Sequence, residues 1–72
     1  MYEKAKLVLN KNCIGELYNL RFSYSNYKFK LEATACLLLK IKNSKVTFLT
    51  EGKISMFDLY DKDIVLYAKK TS

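Results

Sequence analysis

The chain is short, apolar and basic. It has 72 residues, of which 50% are hydrophobic, and a formal net charge of +6. This length suffices for one small domain spanning residues 1–72, and so high an apolar fraction argues against intrinsic disorder. Histidine is absent, so the commonest general base and the commonest metal ligand are both missing. We therefore expect no enzymatic activity, no catalytic or metal-binding residues and no cofactor.

Charge and cysteine content indicate where such a protein works. A basic chain favours anionic partners such as nucleic acid or acidic protein, although many basic proteins bind neither. The longest uninterrupted apolar run is Ala35 to Leu39, far short of the roughly 20 residues that span a bilayer. We expect a cytoplasmic protein with no membrane partner and with Cys13 and Cys36 reduced; a disulfide between them is the alternative. The abundance of lysine, asparagine, isoleucine and tyrosine suggests an AT-rich bacterial or phage genome.

The N-terminal segment YEKAKLVLN predicts a strand, because Ala5, Leu7 and Leu9 occupy alternate positions. Asparagines follow this segment at positions 10 and 12, and they favour a turn through hydrogen bonds to their own backbone. We therefore expect the first strand to end before residue 10.

The segment RFSYSNYKFK, residues 21–30, predicts a hairpin with a two-residue turn at Ser25-Asn26. One face of this hairpin would carry a ladder of aromatic pairs. The other face would place Arg21 opposite Lys30, and directly opposed like charges destabilise a hairpin. The aromatic pairs would be Phe22 with Phe29 and Tyr24 with Tyr27.

The segment YKFKLEATACLLLKIK, residues 27–42, predicts one long strand, because every odd position from Phe29 to Ile41 is apolar. A straight strand of this length would extend about 53 Å, at roughly 3.3 Å per residue. A 72-residue domain has a radius of gyration of about 11 Å, so we expect a bend near residues 33–35. The alternative is a helix around residues 31–42, which would make an α+β fold.

Residues 36–70 predict an antiparallel meander. Two-residue turns at Asn43-Ser44, Glu51-Gly52 and Asp61-Lys62 bring apolar residues onto one face of the sheet. The predicted fold class is therefore all-β, a small antiparallel barrel or sandwich with a C-terminal meander and one long bent central strand. The first row of the apolar face would be Ile41, Val46, Phe57 and Leu66, and the next Leu39, Phe48, Ser55 and Ala68.

The opposite face of this meander is less polar than a solvated face. Its rows would be Lys40, Thr47, Met56 and Tyr67, then Leu38, Leu49, Ile54 and Lys69. We interpret the apolar members as an interface, and a two-fold homodimer is the commonest arrangement for such a surface. The resulting prediction is a homo-oligomeric protein that acts through protein–protein contacts as a regulator, inhibitor or assembly subunit. The predicted interface residues are Leu38, Leu49, Ile54 and Met56.

Residues 21–45 suggest an alternative function, since they hold most of the excess positive charge and several aromatics. Aromatic and cationic side chains on a sheet can stack bases and follow phosphates. Two competing interpretations are that the aromatics belong to the core and that lysines on edge strands prevent aggregation. The candidate nucleic-acid-binding residues are Arg21, Tyr24, Tyr27, Lys28, Lys30, Lys40, Lys42 and Lys45.

The segment DLYDKD, residues 58–63, places three aspartates close together. Their spacing does not fit a calcium-binding EF-hand loop, which requires a glycine and a distant glutamate. We therefore expect a polar turn, built on aspartates that hydrogen-bond to nearby backbone groups.

Overall fold

The computed structural model describes residues 1–24 and 30–72 and, for Lys30 and Leu31, the backbone. Six strands of this part of the chain form one antiparallel sheet in the order β1-β6-β2-β3-β4-β5. The predicted all-β fold is confirmed, and the helix considered around residues 31–42 does not form. The strands are β1 Glu3–Lys4, β2 Leu17–Tyr24, β3 Lys30–Lys42, β4 Lys45–Thr50, β5 Lys53–Asp58 and β6 Ile64–Lys70.

The long central strand bends where the sequence predicted. On β3, Thr34 and Ala35 together lie opposite the single residue Asn19 of β2, which is the geometry of a β-bulge. Ala35 has a positive φ of 52°, and its N–H donates a hydrogen bond of 3.1 Å to the side-chain oxygen of Asn19. The bend keeps the domain small, with a radius of gyration of 11.2 Å.

Two of the three hairpins predicted for the meander of residues 36–70 are confirmed. The turn between β3 and β4 has positive φ at Asn43 and Ser44, and the turn between β4 and β5 has positive φ at Glu51 and Gly52. Two consecutive residues with positive φ make the type I′ turn, whose twist matches that of the flanking strands. The pairs Ile41 with Val46 and Val46 with Phe57 form as predicted.

The third predicted hairpin is wrong. β6 pairs with β2 and β1 instead of β5, so that Leu66 lies opposite Phe22 and not opposite Phe57. The connection is longer than a two-residue turn because two aspartates organise it. Asp58 accepts the N–H of Tyr60, and Asp61 accepts the N–H groups of Asp63 and Ile64. The polar turn expected at residues 58–63 is thus present, but it carries the chain across to the far side of the sheet.

The N-terminal strand is much shorter than predicted. After β1, residues Ala5–Val8 form a single helical turn, α1, and Lys11–Cys13 form a 3-10 turn. Ala5 and Leu9 are buried, whereas Leu7 is 74% exposed. Residues four apart share one face of a helix, so the apolar spacing fits the helical turn as well as it fits a strand.

The pairing of β2 with β3 differs from the predicted hairpin by two residues. Phe22 lies opposite Leu31 rather than Phe29, and Arg21 lies opposite Glu32 rather than Lys30. A shift of two residues keeps every side chain on its face, but it replaces a repulsion by an ion pair between Arg21 and Glu32. The predicted turn Ser25-Asn26 lies outside the described residues, as do Tyr27 and Phe29.

The sheet curls around one core. Phe57 of β5 contacts Phe22 of β2, with ring centroids 4.8 Å apart, although two strands separate them in the sheet. Of the predicted architectures, this single curled sheet resembles a barrel rather than a sandwich. Cys13 and Cys36 are free thiols, and no helix in the described residues is long and apolar enough to cross a membrane. The buried core residues are Ala5, Leu9, Tyr18, Leu20, Cys36, Leu38, Val46, Phe48, Leu66 and Ala68.

Candidate interaction surface

A row of aliphatic side chains crosses four neighbouring strands on the outer face of the sheet. The row, called here the outer apolar row, consists of Leu17 of β2, Leu37 of β3, Leu49 of β4 and Ile54 of β5, each opposite the next. Leu17, Leu37 and Leu49 are each next to a core residue along the strand, which places them on the face that the core does not use. Ile54 shares that face because it lies directly opposite Leu49. Ile54, at the end of the row, is 69% exposed.

Leu38 does not belong to this surface, although the sequence predicted it there. Leu38 pairs with Phe48 and is 0% exposed, whereas Leu39, predicted in the core, has no partner on β4 and is 38% exposed. Leu39 is the extra residue of a second bulge, and an extra residue reverses the faces of the residues before it. Leu37 therefore takes the position that was expected for Leu38.

Met56 extends the apolar surface on β5. It is 64% exposed and lies opposite Thr47 of β4, on the same face as Ile54 because it is two residues further along the strand. β5 is the last strand of the sheet, so Ile54 and Met56 lie beside its outer edge. Edge strands with exposed apolar side chains are sites where another chain can pair.

The predicted basic residues divide into separate places. Lys40, Lys42 and Lys45 surround a shallow cleft at the β3–β4 turn, together with Thr47 and Met56. Lys42 and Lys45 lie directly opposite each other, and like charges in that position repel. Three of the six basic residues predicted in the segment of residues 21–45 therefore lie together at the turn.

Arg21 and Tyr24, which were also predicted to bind nucleic acid, do not join this cluster. Arg21 forms an ion pair with Glu32 and lies over the ring of Tyr2, 4.0 Å from its centroid. The Glu32 hydrogen bond raises the pKa of the Arg21 guanidinium. Tyr24 is an odd number of residues from Arg21 and therefore faces the interior, where it lines an open cavity with Leu20 and Phe22. Tyr27, Lys28 and the side chain of Lys30 lie outside the described residues.

A polar network joins the start of β2 to the end of β6. Glu16 accepts hydrogen bonds from Lys70, at 2.7 Å, and from the Tyr18 hydroxyl, at 3.1 Å. The bond from Lys70, assisted by that from Tyr18, lowers the pKa of the Glu16 carboxyl. Burial raises the pKa of the Tyr18 phenol, and hydrogen bonds with Cys13 and Glu16 act in the same direction. This network ties the two strands together at the end opposite the β2–β3 connection.

No known protein family, curated protein or solved structure matches this chain. The surface must therefore be interpreted from its own geometry.

Sequence reasoning missed Leu17 and Leu37 as members of the outer apolar row. Their period-two pattern is visible in the sequence, but the bulge that assigns Leu37 to the outer face leaves no mark on that pattern.

Proposed function

We propose that the protein is a non-enzymatic interaction protein that acts through protein–protein contacts and associates with itself, in the role of a regulator, inhibitor or assembly subunit. The observation that carries this proposal is the outer apolar row, because it continues without interruption to an edge strand whose last two outward apolar residues are mostly exposed. Soluble monomers rarely expose contiguous apolar surface of this kind, and such patches commonly mark interfaces.

The expected affinity follows from the most exposed part of this surface. Burying Ile54 and Met56 contributes about 1.5–3 kcal/mol for each side chain. Two copies would bury four such side chains, worth roughly 6–12 kcal/mol, against an association cost of about 4–15 kcal/mol. The most favourable difference between these two ranges is about 8 kcal/mol, which corresponds to a dissociation constant of about 1 μM. We therefore expect association at micromolar or higher concentrations and not at nanomolar ones.

The proposal is tested by changing Ile54 to aspartate and following association by size-exclusion chromatography with light scattering. A carboxylate at this position would be buried without a partner in an interface, so the variant should elute as a monomer. Leu7→Asp is the matched control, because Leu7 is equally exposed but lies on α1, away from the outer apolar row. Unchanged association of the Ile54→Asp variant would refute the proposal.

A second candidate function is binding of a polyanion, such as single-stranded nucleic acid, at the β3–β4 turn. It is favoured by the convergence of Lys40, Lys42 and Lys45 around one cleft, where a phosphate would relieve the repulsion between Lys42 and Lys45. Salt separates the two candidates. Phosphate binding weakens steeply with ionic strength, whereas association through apolar side chains does not.

This second candidate predicts a specific change in salt dependence. Replacing Lys40, Lys42 and Lys45 by glutamine should lower the slope of log affinity against log salt for an oligonucleotide by about 2, at about 0.7 per phosphate contact. The control removes the same charge elsewhere, from Lys11, Lys53 and Lys62. Equal loss of affinity in both triple variants would show a nonspecific charge effect and exclude a site at the turn.

A further inference from the structure

We propose that the partner is a second copy of this chain and that the two copies pair through β5, antiparallel, about a two-fold axis at Ser55. This inference depends on the proposed function, since it specifies which molecule covers the apolar surface and in which register. It would join the two sheets edge to edge into one.

The outer edge of β5 has backbone groups available for such pairing. The N–H of Leu59 donates to the carbonyl oxygen of Ser44 on the β4 side, at 2.8 Å. Residues of an antiparallel strand turn their backbone groups alternately to one neighbour and to the other, so Phe57 and Ser55 also turn theirs toward β4. Ile54 and Met56 therefore turn their N–H and C=O groups outward, and no described strand is hydrogen-bonded to that edge. Near the Asp58 end of β5, Met56 and Asp58 share a small cleft with Ile64 and Leu66 of β6.

The side chains select the register. Directly opposed residues of an antiparallel pair lie on the same face. A two-fold axis perpendicular to the sheet must therefore pass midway between the two copies of one residue, and that residue defines the register. With the axis at Ser55, Ile54 lies opposite Met56 of the second copy, and these two residues exchange backbone hydrogen bonds. With the axis at Met56, Ile54 would instead lie opposite the carboxylate of Asp58. The first register pairs apolar with apolar at both symmetric positions.

The charges of β5 favour an antiparallel second copy. The strand reads KISMFD, beginning with Lys53 and ending with Asp58. With the axis at Ser55, Lys53 lies opposite Phe57 of the second copy and Asp58 lies opposite its Gly52, so no like charges are directly opposed. A parallel, in-register arrangement would instead place each Lys53 beside the other Lys53 and each Asp58 beside the other Asp58. In the antiparallel arrangement Ile54 of each copy lies beside Met56 of the other, so the two outer apolar rows form one continuous apolar surface.

Disulfide cross-linking tests the register. Opposed residues that do not exchange hydrogen bonds have Cα atoms about 4.5 Å apart, within the range of about 4.4–6.8 Å that a disulfide accepts. Ser55→Cys, in a Cys13→Ser background that removes the more exposed native thiol, should form a covalent dimer on mild oxidation. Ser44→Cys, which places an exposed thiol in the β3–β4 turn, should remain monomeric on a denaturing gel.

Hydrogen exchange provides a second measurement that needs no substitution. On dilution of the wild-type protein, the amides of Ile54 and Met56 should lose protection, while those of Ser55 and Phe57 should stay protected by β4. Failure of Ser55→Cys to cross-link, or cross-linking through Met56→Cys instead, would overturn the proposed pairing. If Ile54→Asp nevertheless abolished association, the surface would stand and the register would be wrong. If Ile54→Asp had no effect, both proposals would fail.

Discussion

Leu38 and Leu39 show how one extra residue decides which side chains reach the core. They are adjacent and chemically identical, yet Leu38 is completely buried against Phe48 while Leu39 projects from the bulge in β3. Since the two side chains have equal volumes, the difference in their contribution to stability comes from the bulge alone.

The two leucines should therefore respond very differently to truncation. Leu38→Ala removes fully buried methyl groups and leaves a cavity, so it should lower the free energy of unfolding by about 2–5 kcal/mol. Leu39→Ala should cost less than about 1 kcal/mol, because the side chain is partly solvated. Urea denaturation of both variants measures this difference. Equal losses, or a larger loss for Leu39→Ala, would contradict the position of the bulge.

Glu16 is the residue whose ionisation links two distant parts of the chain. Its pKa is lowered by the hydrogen bonds from Lys70 and Tyr18. A carboxyl group with a lowered pKa in the folded protein stabilises it above the pKa of the unfolded chain, and this stabilisation is lost as the pH falls through the folded pKa. The contribution of Glu16 should accordingly be present at neutral pH and disappear in acid.

Replacing Glu16 by glutamine should reproduce the acid state of this network at neutral pH. We expect Glu16→Gln to have a lower melting temperature than the wild type at pH near 7, with the difference vanishing below the ordinary range of carboxyl pKa values, about 4. Glu3→Gln, which removes an exposed carboxylate from β1, is the control. A difference that persists unchanged into acid would show that ionisation of Glu16 is not its source.

At the scale of elements, β3 determines the shape of the sheet. Its bulge at Thr34 and Ala35 lets a 13-residue strand turn within a small domain, and Ala35 adopts positive φ to form it. For a residue with a side chain this conformation costs about 1–2 kcal/mol. The contact between Phe57 and Phe22 across the curled sheet, which the bend makes possible, offsets this cost.

Substitution by glycine should reveal this strain. Ala35→Gly removes the steric cost but adds the flexibility of glycine in the unfolded chain, worth about 0.5–1 kcal/mol, so a net gain of about 0.5 kcal/mol is expected. Ala33→Gly, two residues earlier on the same strand, should be destabilising instead. Thermal melts of both variants compare the two positions, and destabilisation of equal size at both would argue against positive φ at Ala35.

The sequence predicted those elements that are determined by residues close together in the chain. Each of the turns Asn43-Ser44 and Glu51-Gly52 carries one residue suited to positive φ, Asn43 in the first and Gly52 in the second, and the length of β3 requires a bend. The partner of β6 was not predictable in this way, because it depends on the side-chain hydrogen bonds of Asp58 and Asp61 and on a pairing with β2 far away in the chain. The helical turn of Ala5–Val8 was missed because its apolar spacing fits both structures.

The candidate surface was predicted in part, for the same reason. Leu49, Ile54 and Met56 were placed on the outer face correctly because the regular β4–β5 hairpin connects them. Leu38 was misplaced because a bulge does not alter the alternation of residue types. The basic and aromatic residues were predicted to form one binding segment, whereas strand alternation directs the side chains of Arg21 and Tyr24 to opposite faces of the sheet.

At the scale of the whole molecule, the sheet leaves the edge strand β5 uncovered in the part of the chain that the structure describes. β1 and α1 pack against β6 near the other edge, but Ile54 and Met56 remain exposed at this one. A second copy would cover both side chains and pair the outward backbone groups of β5. The net charge of +6 opposes this association at low salt, so added salt should strengthen it.

The measurement that tests this account most directly is sedimentation equilibrium of the wild-type protein at high micromolar concentration. We predict a concentration-dependent mass that approaches twice that of the 8.4 kDa chain, because the proposed pairing covers the exposed side chains of β5 with a second copy. The measured mass should rise further toward that of the dimer as salt is added. A constant mass of 8.4 kDa at every concentration and salt would contradict self-association through the outer apolar row.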